Sequence, residues 1–307
     1  MERMTIQTTD GHMISAFVLE PAAKPIGHIH LLHGMAEHIG RYGGFAEKLR
    51  EAGYLVSGHD HRGHGETWRL NGTKGYFAEE NGFERVVRDA FEVITAVREK
   101  HPSPNLILFG HSMGSFVARR YAQLFGNTLD GAIFMGSGAH PGPVIAGGRL
   151  LAGAYTAAGA GKEPNQLLNS LTFGRYNSRF GDADTPFAWL SDDAEEVRAY
   201  MDDEDSGFVS TTGLFSDLFD GLDLIHRDRE IRRMPATLPI LFISGASDPV
   251  GADGKGIFKA AEQLVKNGVQ DVTVHLVEDG RHEILHSRHR DEVTRFLVGW
   301  LERWRER

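Results

Sequence analysis

The sequence predicts an α/β fold in which a mostly parallel central sheet carries helices on both faces and a helical cap is inserted into the chain. Short apolar runs alternate with longer amphipathic runs over residues 1–137, as strands and crossover helices do in parallel sheets. The alternation stops near residue 138 and resumes near residue 240. Because the residues between hold no apolar run of the strand type, we expect them to form the cap.

Each strand is predicted from a short apolar run, and each helix from apolar residues that recur every three to four positions. The predicted strands are residues 14–19, 28–32, 55–60, 106–109, 132–135, 240–244 and 272–276. The predicted helices are residues 45–52, 83–100, 115–122, 189–201, 215–221 and 291–305. The helix at 83–100 has the clearest period, and Pro102 follows its end.

This order of elements divides the chain into three parts. Residues 1–138 are predicted to form the first part of the α/β core, residues 139–221 the helical cap, and residues 222–307 the second part of the core. The cap is rich in Gly and Ala near its start, and its apolar stretch around Leu150 and Leu151 predicts a wall for an apolar substrate. Since Arg149 interrupts that stretch, it does not predict a membrane span.

The composition indicates a globular enzyme and excludes several classes of function. The 307 residues carry a formal net charge of −9, which argues against nucleic acid as a partner. The sequence contains 0 cysteines, so disulfides, thiol catalysis and cysteine–zinc sites are excluded. The first residues have no apolar stretch of the signal-peptide type, and we therefore expect a cytoplasmic location.

The strongest motif is the run Gly-His-Ser-Met-Gly at residues 110–114, directly after the apolar residues 106–109. A serine between two glycines at the exit of a strand and the start of a helix is typical of a nucleophile elbow. The turn is too tight for side chains at the glycine positions, and it holds the Ser112 hydroxyl above the sheet. The N-terminus of the following helix places backbone N–H groups where an oxyanion would form.

A serine nucleophile needs a base and an acid that orients the base. In the chain order Ser, Asp, His, both should lie in loops after later strands. Asp248 follows the predicted strand 240–244, and His282 follows the predicted strand 272–276. The alternative for Asp248 is an Asx turn before Pro249, and the alternative for His282 is a surface-loop histidine. Because both residues follow predicted strands and occur in the chain order Ser, Asp, His, we favour the catalytic interpretation for both.

A second oxyanion N–H is expected from the loop after an earlier strand. Residues 33–38 (His-Gly-Met-Ala-Glu-His) are in that position, and the Met35 amide is the candidate. The alternative is an ordinary strand-to-helix loop. Glu37 and Arg41 are polar groups near that point that could face a substrate.

A rival pattern is a metal site, since two stretches have the spacing His-x-His-x-x-His. Neither contains the aspartate that precedes the last histidine in dinuclear zinc hydrolases of the His-x-His-x-Asp-His type. The first stretch lies on a predicted strand, where side chains alternate between faces. We therefore expect no metal, and we expect these histidines to pack and cap around the loop at residues 60–65. The two stretches comprise His28, His30 and His33, and His59, His61 and His64.

On these motifs the chain resembles the monoglyceride lipase / lysophospholipase group of α/β-hydrolases. The motifs occur in that group's order and span nearly the whole chain. Two departures are Ser115 after the elbow, where the group usually has a second glycine, and the absence of cysteines from the cap. The motifs are residues 33–38 with Arg41-Tyr42, residues 60–65, residues 110–114, and residues 247–249 with 280–283.

The resemblance implies an α/β-hydrolase fold and a cofactor-free serine esterase. It implies a catalytic triad of Ser112, Asp248 and His282 and an oxyanion hole formed by the amides of Met35 and Met113. Head-group contacts would fall on Glu37, Arg41, His111 and the cap residue Tyr200.

The substrate implied is a small lipid ester, most closely a monoacylglycerol, with transient membrane contact through the cap. A lysophospholipase and a short-chain carboxylesterase keep the same chemistry. A metal-dependent hydrolase that uses the histidine stretches and a non-catalytic binding module are alternatives from other classes.

Overall fold

The computed structural model describes residues 1–180 and 185–304. Within them eight strands form one sheet in the order β1-β2-β4-β3-β5-β6-β7-β8. The strands are β1 (Glu2–Gln7), β2 (Met13–Leu19), β3 (His28–Leu32), β4 (Leu55–His59), β5 (Leu106–His111), β6 (Gly131–Met135), β7 (Ile240–Gly245) and β8 (Val272–Val277).

The six strands β3 to β8 pair in parallel, whereas the two strands at one edge are joined by antiparallel pairings because β2 runs in the opposite direction. β1 pairs antiparallel with β2, β2 pairs antiparallel with β4, and the pairings from β4 through β8 are parallel. In the centre, Leu108 of β5 pairs with His30 on one side and Ala132 on the other. Because parallel strands end at one edge, the loops that follow β3, β5, β7 and β8 meet there.

Helices connect the strands and cover the sheet. The α-helices of the described residues are α1 (Gly43–Glu51), α2 (Gly65–Asn71), α3 (Gly82–Lys100), α4 (Met113–Phe125), α5 (Pro143–Ala157), α6 (Gln166–Phe173), α7 (Ala194–Asp202), α8 (Thr212–Ile225), α9 (Asp228–Ile231), α10 (Lys255–Lys266) and α11 (Arg290–Leu301). Short 3-10 helices lie at Ile39–Tyr42, Gly126–Thr128, Tyr176–Arg179, Ile284–His286 and Glu302–Trp304.

The buried side chains form a core on each face of the sheet. One core includes Leu108 and Phe134 of the sheet, packed against side chains of α3, α4, α8 and α10. The other includes Phe109 and Ile133, packed against side chains of α1 and α11. Because neighbouring residues of a strand point to opposite faces, a strand covered on both faces is apolar at most positions. The fully buried strands β3 and β4 nonetheless also carry histidines and Ser57. The predicted α/β class with helices on both faces is confirmed.

All seven predicted strands are present, and β1 is an additional strand that the sequence pattern does not predict. Only Met4 and Ile6 of β1 are apolar, and they pack against a small core beneath the sheet edge, so the strand has no continuous apolar run. α2 and α10 are also absent from the predicted helices, although Ile257, Ala260 and Leu264 of α10 recur at helical spacing. The helix predicted at 189–201 begins only at Ala194, where the Asp193 side chain accepts a hydrogen bond from the Glu195 N–H.

The described residues between β6 and β7 are helical and contain no strand of the sheet. α5 packs against α8, and α8 in turn packs against α3 and α4 of the core. α8 continues to Ile225, so the boundary predicted after residue 221 falls within a helix. Among the described residues, no helix combines the length and the apolar character needed to cross a bilayer.

Candidate active site

Ser112 lies in a strained turn between β5 and α4. Its backbone has φ of 51° and ψ of −119°, a combination that non-glycine residues rarely adopt. A Cβ atom on Gly110 would lie 2.2 Å from the Gly114 carbonyl oxygen, and one on Gly114 would lie 2.4 Å from the Leu32 carbonyl oxygen. The two glycines are therefore required by close backbone approach, as the sequence motif predicted. The turn leaves Ser112 half-buried at the carboxyl edge of the sheet.

His282 and Asp248 meet at the same edge, in the loops that follow β8 and β7. His282 Nδ1 lies 2.9 Å from Asp248 Oδ2 and 3.0 Å from Oδ1. The carboxylate also accepts hydrogen bonds from the Ser244 hydroxyl and the Val250 N–H, both at 2.9 Å. Because these bonds satisfy the carboxylate, Asp248 can remain charged although the side chain is fully buried.

The contact between Asp248 and His282 raises the pKa of the imidazole and lowers the pKa of the carboxyl group. These are the directions expected of a base and of the acid that orients it. Burial opposes the charged form of His282, but the charge and hydrogen bond of Asp248 outweigh it and raise the imidazole pKa. Burial alone would raise the pKa of Asp248, whereas His282 and the Ser244 hydroxyl lower it. The bond at Nδ1 leaves Nε2 as the ring nitrogen free to take a proton.

The residues predicted to form the cap contact the loop that carries His282 directly. The His282 N–H donates to the Trp189 carbonyl oxygen at 3.4 Å, and the Glu283 N–H donates to the Leu190 carbonyl oxygen at 2.7 Å. Arg281 Nη1 donates to the Ala188 carbonyl oxygen at 2.6 Å. The Trp189 ring lies 5.0 Å from the His282 ring, centroid to centroid. The imidazole is thus held between the sheet edge and the cap.

The loop after β3 approaches Ser112 closely. A Cβ atom on Gly34 would lie 3.2 Å from Ser112 Cβ, so this loop forms one wall of the serine site. Among the described residues, no group accepts a hydrogen bond from the backbone N–H of Met35 or of Met113. Met113 begins α4, where the first N–H groups have no partner within the helix. Both amides predicted for the oxyanion hole are therefore available.

A buried network of charged and polar groups fixes this loop. Glu37 Oε1 accepts hydrogen bonds from the Gly34 N–H at 2.5 Å and the Tyr42 hydroxyl at 2.9 Å, and it lies 3.1 Å from His111 Nδ1. Arg41 donates to Glu37 Oε2 at 2.7 Å. Burial would raise the pKa of Glu37, but the bond from His111 and the charge of Arg41 hold it well below its usual value.

Glu283 completes this network, and the sequence analysis did not assign it a role. Arg41 forms a bidentate pair with both Glu283 carboxylate oxygens at 2.7 Å. Glu283 lies next to His282 in the chain and is 3% exposed. Its position directly after the candidate base was a usable signal, but no sequence pattern indicates that it pairs with a residue 242 positions away.

Two cavities meet at Ser112. The first, which we call the polar cavity after its charged and polar residues, has a volume of about 360 Å³. Its wall includes Glu37, His111, Tyr200, His282 and Glu283 beside apolar residues such as Phe187, Trp189 and Leu190. The second, the apolar cavity, has a volume of about 370 Å³ and is walled by residues such as Met113, Phe116, Ile145, Leu218 and Leu222. Met35, Ser112 and Phe173 line both.

Three of the four residues predicted to contact the head group line the polar cavity, and the fourth does not. Glu37, His111 and Tyr200 line the polar cavity, and the Tyr200 hydroxyl donates to the Ala36 carbonyl oxygen at 3.0 Å. Arg41 is absent from that wall, because its guanidinium is held behind it by Glu37 and Glu283. It lies 4.9 Å from the centroid of the Tyr200 ring.

The prediction that Leu150 and Leu151 wall the substrate site is wrong. Leu150 is 79% exposed, and neither residue lines either cavity. They lie on α5, which turns Val144, Ile145 and Gly148 toward the apolar cavity instead. Which side of α5 faces the cavity depends on the rotation of the helix about its axis. The sequence leaves that rotation poorly defined because α5 is rich in small residues.

The two histidine stretches form one buried cluster. His28, His30 and His59 lie on β3 and β4, and the remaining three histidines lie in the loops that follow these strands. The Ser57 hydroxyl bridges His28 Nε2 and His30 Nδ1, each at 2.6 Å, and His30 Nε2 lies 2.9 Å from His59 Nδ1. His33 Nε2 accepts the His61 N–H at 2.9 Å. Among the residues that the structure describes, no group of three or more His, Asp or Glu side chains is arranged to hold a metal.

Comparison with known proteins agrees with this architecture. The sequence profile of the family described as "Serine aminopeptidase, S33" matches residues 23–289. Monoglyceride lipase of Mus musculus is 28% identical over 297 residues, covering 96% of this chain and 87% of that protein. Monoacylglycerol lipase of Mycolicibacterium smegmatis is 28% identical over 290 residues, covering 92% of each.

A solved structure extends the similarity to the whole fold. A thermostable carboxyl esterase from Bacillus coagulans, in complex with glycerol, superposes with a TM-score of 0.92 at 28% identity, covering 99% of this chain and 98% of that one. The resemblance to the monoglyceride lipase group is thereby confirmed. The chain is an enzyme of the α/β-hydrolase fold that belongs to the family described as "Serine aminopeptidase, S33" and is similar along its length to carboxylic ester hydrolases.

Proposed function

We propose that this chain hydrolyses monoacylglycerols through a covalent acyl-enzyme, with Ser112 as nucleophile, His282 as base and Asp248 as the acid that orients His282. The bond between Asp248 and His282 Nδ1 supports these roles, because it fixes the tautomer whose Nε2 can accept a proton. Ser112 and His282 share the wall of the polar cavity, as nucleophile and base must.

In the first half of the reaction, Ser112 Oγ bonds to the ester carbonyl carbon while its proton passes to His282 Nε2. The N–H groups of Met35 and Met113 stabilise the oxyanion, and each such donor contributes about 10²–10³-fold in kcat. The bond from carbon to the alcohol oxygen then breaks, and His282 gives its proton to the departing glycerol. In the second half, water attacks the acyl carbon while His282 Nε2 takes its proton. The bond from carbon to Ser112 Oγ then breaks, His282 returns the proton to Ser112, and the fatty acid is released.

We base the proposed substrate on the position of Ser112 between the polar and the apolar cavity. An ester bound with its carbonyl at Ser112 would place its acyl chain in the apolar cavity and its alcohol in the polar cavity. Burial of each CH₂ contributes about 0.8 kcal/mol, so a long acyl chain is favoured on one side. The polar groups of the other side suit a head group with hydroxyls.

The charge of the polar cavity favours glycerol over a phosphate-bearing head group. Glu37 and Glu283 both face this cavity, and the Arg41 that they share lies outside its wall. A phosphodiester placed there would bring a negative charge near two carboxylates with little solvent between them. The lysophospholipase alternative is therefore the weaker one.

A panel of esters with one common acyl chain tests this choice. We expect kcat/KM for the glycerol ester to exceed that for the glycerophosphocholine ester by at least about tenfold, since repulsion of roughly 1.4 kcal/mol corresponds to that ratio. Rates are measured by release of the free fatty acid. Equal or faster hydrolysis of the phosphate-bearing ester would reject the assignment in favour of a lysophospholipase.

We also propose that the cap rests on lipid around the mouth of the apolar cavity. Val144 and Leu150 of α5 are 70% and 79% exposed, and Leu171 of α6 is 61% exposed. Val144 and Leu171 also line that cavity. An exposed apolar patch at the entrance of a cavity that would take a lipid chain is suited to contact with a membrane surface.

We expect Leu150→Glu to weaken binding to phosphatidylcholine vesicles about tenfold, because transfer of a leucine side chain to lipid is worth roughly 1.5–3 kcal/mol. Hydrolysis of a water-soluble short-chain ester should be unchanged, since Leu150 lines neither cavity. Vesicle co-sedimentation measures the binding. Val265→Glu, at a 56% exposed position of α10, is the matched control and should bind as the wild type does. Equal binding by all three proteins would exclude this surface.

A further inference from the structure

Helix α6 separates the two cavities, and its two faces differ in chemistry. Gln166, Asn169 and Ser170 line the polar cavity. Leu168, Leu171 and Thr172 line the apolar cavity. At 100° per residue the first three positions lie on one side of the helix and the last three on the other. Phe173, at the end of α6, lines both cavities.

The start of α6 is fixed, so these faces cannot exchange by rotation of the helix. The Asn165 side chain caps α6 by accepting the Leu168 N–H at 3.0 Å. Asn165 Nδ2 donates to the Thr212 hydroxyl at 3.1 Å, and its backbone N–H donates to the Ser210 carbonyl oxygen at 3.0 Å. These bonds join α6 to the start of α8, which packs on the core.

The polar side chains of α6 are available to a ligand. Within the described residues, no protein group forms a hydrogen bond with the side-chain amide of Gln166 or Asn169. Asn169 is half-buried and Gln166 is exposed at the cavity wall. An amide both donates and accepts hydrogen bonds, as a hydroxyl does, and it carries no charge that would select an ion.

We propose that Asn169 and Gln166 bind the free hydroxyl groups of the substrate alcohol, so that α6 sets the preference for a polyol head group. This inference rests on the proposed hydrolysis of monoacylglycerols and adds to it the cap residues that recognise the alcohol. Glu37 and Glu283 line the same cavity from the loops that follow β3 and β8. The alcohol would therefore meet groups of the sheet-edge loops and of the cap helix, and the α6 amides are free to donate or accept.

The test compares two esters of the same acyl chain, one with glycerol and one with methanol. The variants Asn169→Leu and Gln166→Met keep approximate side-chain size and remove the hydrogen bonds. We expect each to lower the ratio of kcat/KM for the glycerol ester to that for the methyl ester by about three- to tenfold, the usual effect of one lost hydrogen bond. The change should appear chiefly in the glycerol ester, because the methyl ester has no free hydroxyl.

Thr172→Val is the matched control on the same helix. Its hydroxyl is bonded to the Leu168 carbonyl oxygen at 2.8 Å and it faces the apolar cavity, so the ratio should stay at the wild-type value. An equal loss on both esters, or an unchanged ratio in both amide variants, would overturn the role of α6 while leaving monoacylglycerol hydrolysis intact. A wild-type enzyme that cleaves the methyl ester and not the glycerol ester would instead overturn the proposed function together with this inference.

Discussion

Ser112→Ala is expected to reduce ester hydrolysis by about 10⁶-fold in kcat, the loss typical of removing a triad nucleophile. The thermal midpoint should change little, because surface and half-buried substitutions without a lost partner usually fall within about 0.5 kcal/mol. Alanine keeps the positive φ of this position, so the strain of the turn is not released. Initial rates on the glycerol ester and a melting curve measure the two effects.

The same residue should be the site of covalent labelling. A fluorophosphonate probe is expected to add once to the wild-type chain at Ser112, as located by mass spectrometry of the digested protein, and not to react with Ser112→Ala. Ser178→Ala is the control, since this exposed cap serine lines neither cavity and should be labelled at Ser112 as the wild type is. An active Ser112→Ala variant, or labelling at another serine, would exclude the covalent mechanism.

Acid is expected to unfold the protein through the buried histidine cluster. Burial lowers the pKa of all six histidines, to about 3 for His28 and about 4 for His64. The unfolded chain takes up a proton at each position near pH 6.5, whereas the folded chain does not. The free energy of unfolding therefore decreases as the pH falls from about 6.5 toward 4, because only the unfolded chain gains the protons.

The expected loss is large compared with the stability of a typical domain. Each such histidine lowers the free energy of unfolding by about 1.4 kcal/mol per pH unit below 6.5, or by roughly 2 kcal/mol at pH 5. Several such histidines together are a large part of the roughly 5–15 kcal/mol by which most domains are stable, so we expect the free energy of unfolding to fall steeply between pH 6.5 and 5. Urea titrations followed by circular dichroism at several pH values measure the dependence. Activity is a poor readout here, because protonation of His282 also stops catalysis.

One variant separates the cluster from general acid effects. His28→Gln places an amide nitrogen near the position of Nε2 and preserves a partner for the Ser57 hydroxyl, while it removes one titrating group. The fall in unfolding free energy between pH 6.5 and 5 should then be smaller by roughly 2 kcal/mol. A wild-type stability that stays constant down to pH 4.5 would contradict the buried neutral state of these side chains.

Much of the fold was predictable because its signals are local. The short runs of β3 through β7 identify buried strands and that of β8 a partly buried one, and the glycines on either side of Ser112 indicate the turn that holds it. Asp248 and His282 could be chosen because strand order places their loops at the edge where Ser112 lies, and the structure brings Asp248 and His282 into hydrogen-bond contact. The roles assigned to these residues are predictions, and the Ser112→Ala and labelling experiments test the role of Ser112.

Other features depend on contacts between distant parts of the chain. The pairing of Arg41 with Glu283 joins the loop after β3 to the loop after β8. The wrong placement of Leu150 had the same cause, since only the packing of α5 on α8 decides which side of α5 faces inward. The histidine stretches resemble a metal motif in spacing, and only the tertiary contacts show that His28 and His30 bond to Ser57 and that His30 also bonds to His59.

Local backbone preference and apolar periodicity are sufficient to predict the α/β class, the elbow at Ser112 and the loops that carry Asp248 and His282. The shape and charge of the site, in contrast, depend on contacts between distant parts of the chain. Two cavities meet at Ser112 and α6 divides them, with two carboxylates on one wall and a shared arginine behind it. These features depend on which helix faces turn inward and which charges are buried together, and both are set by packing across the whole chain.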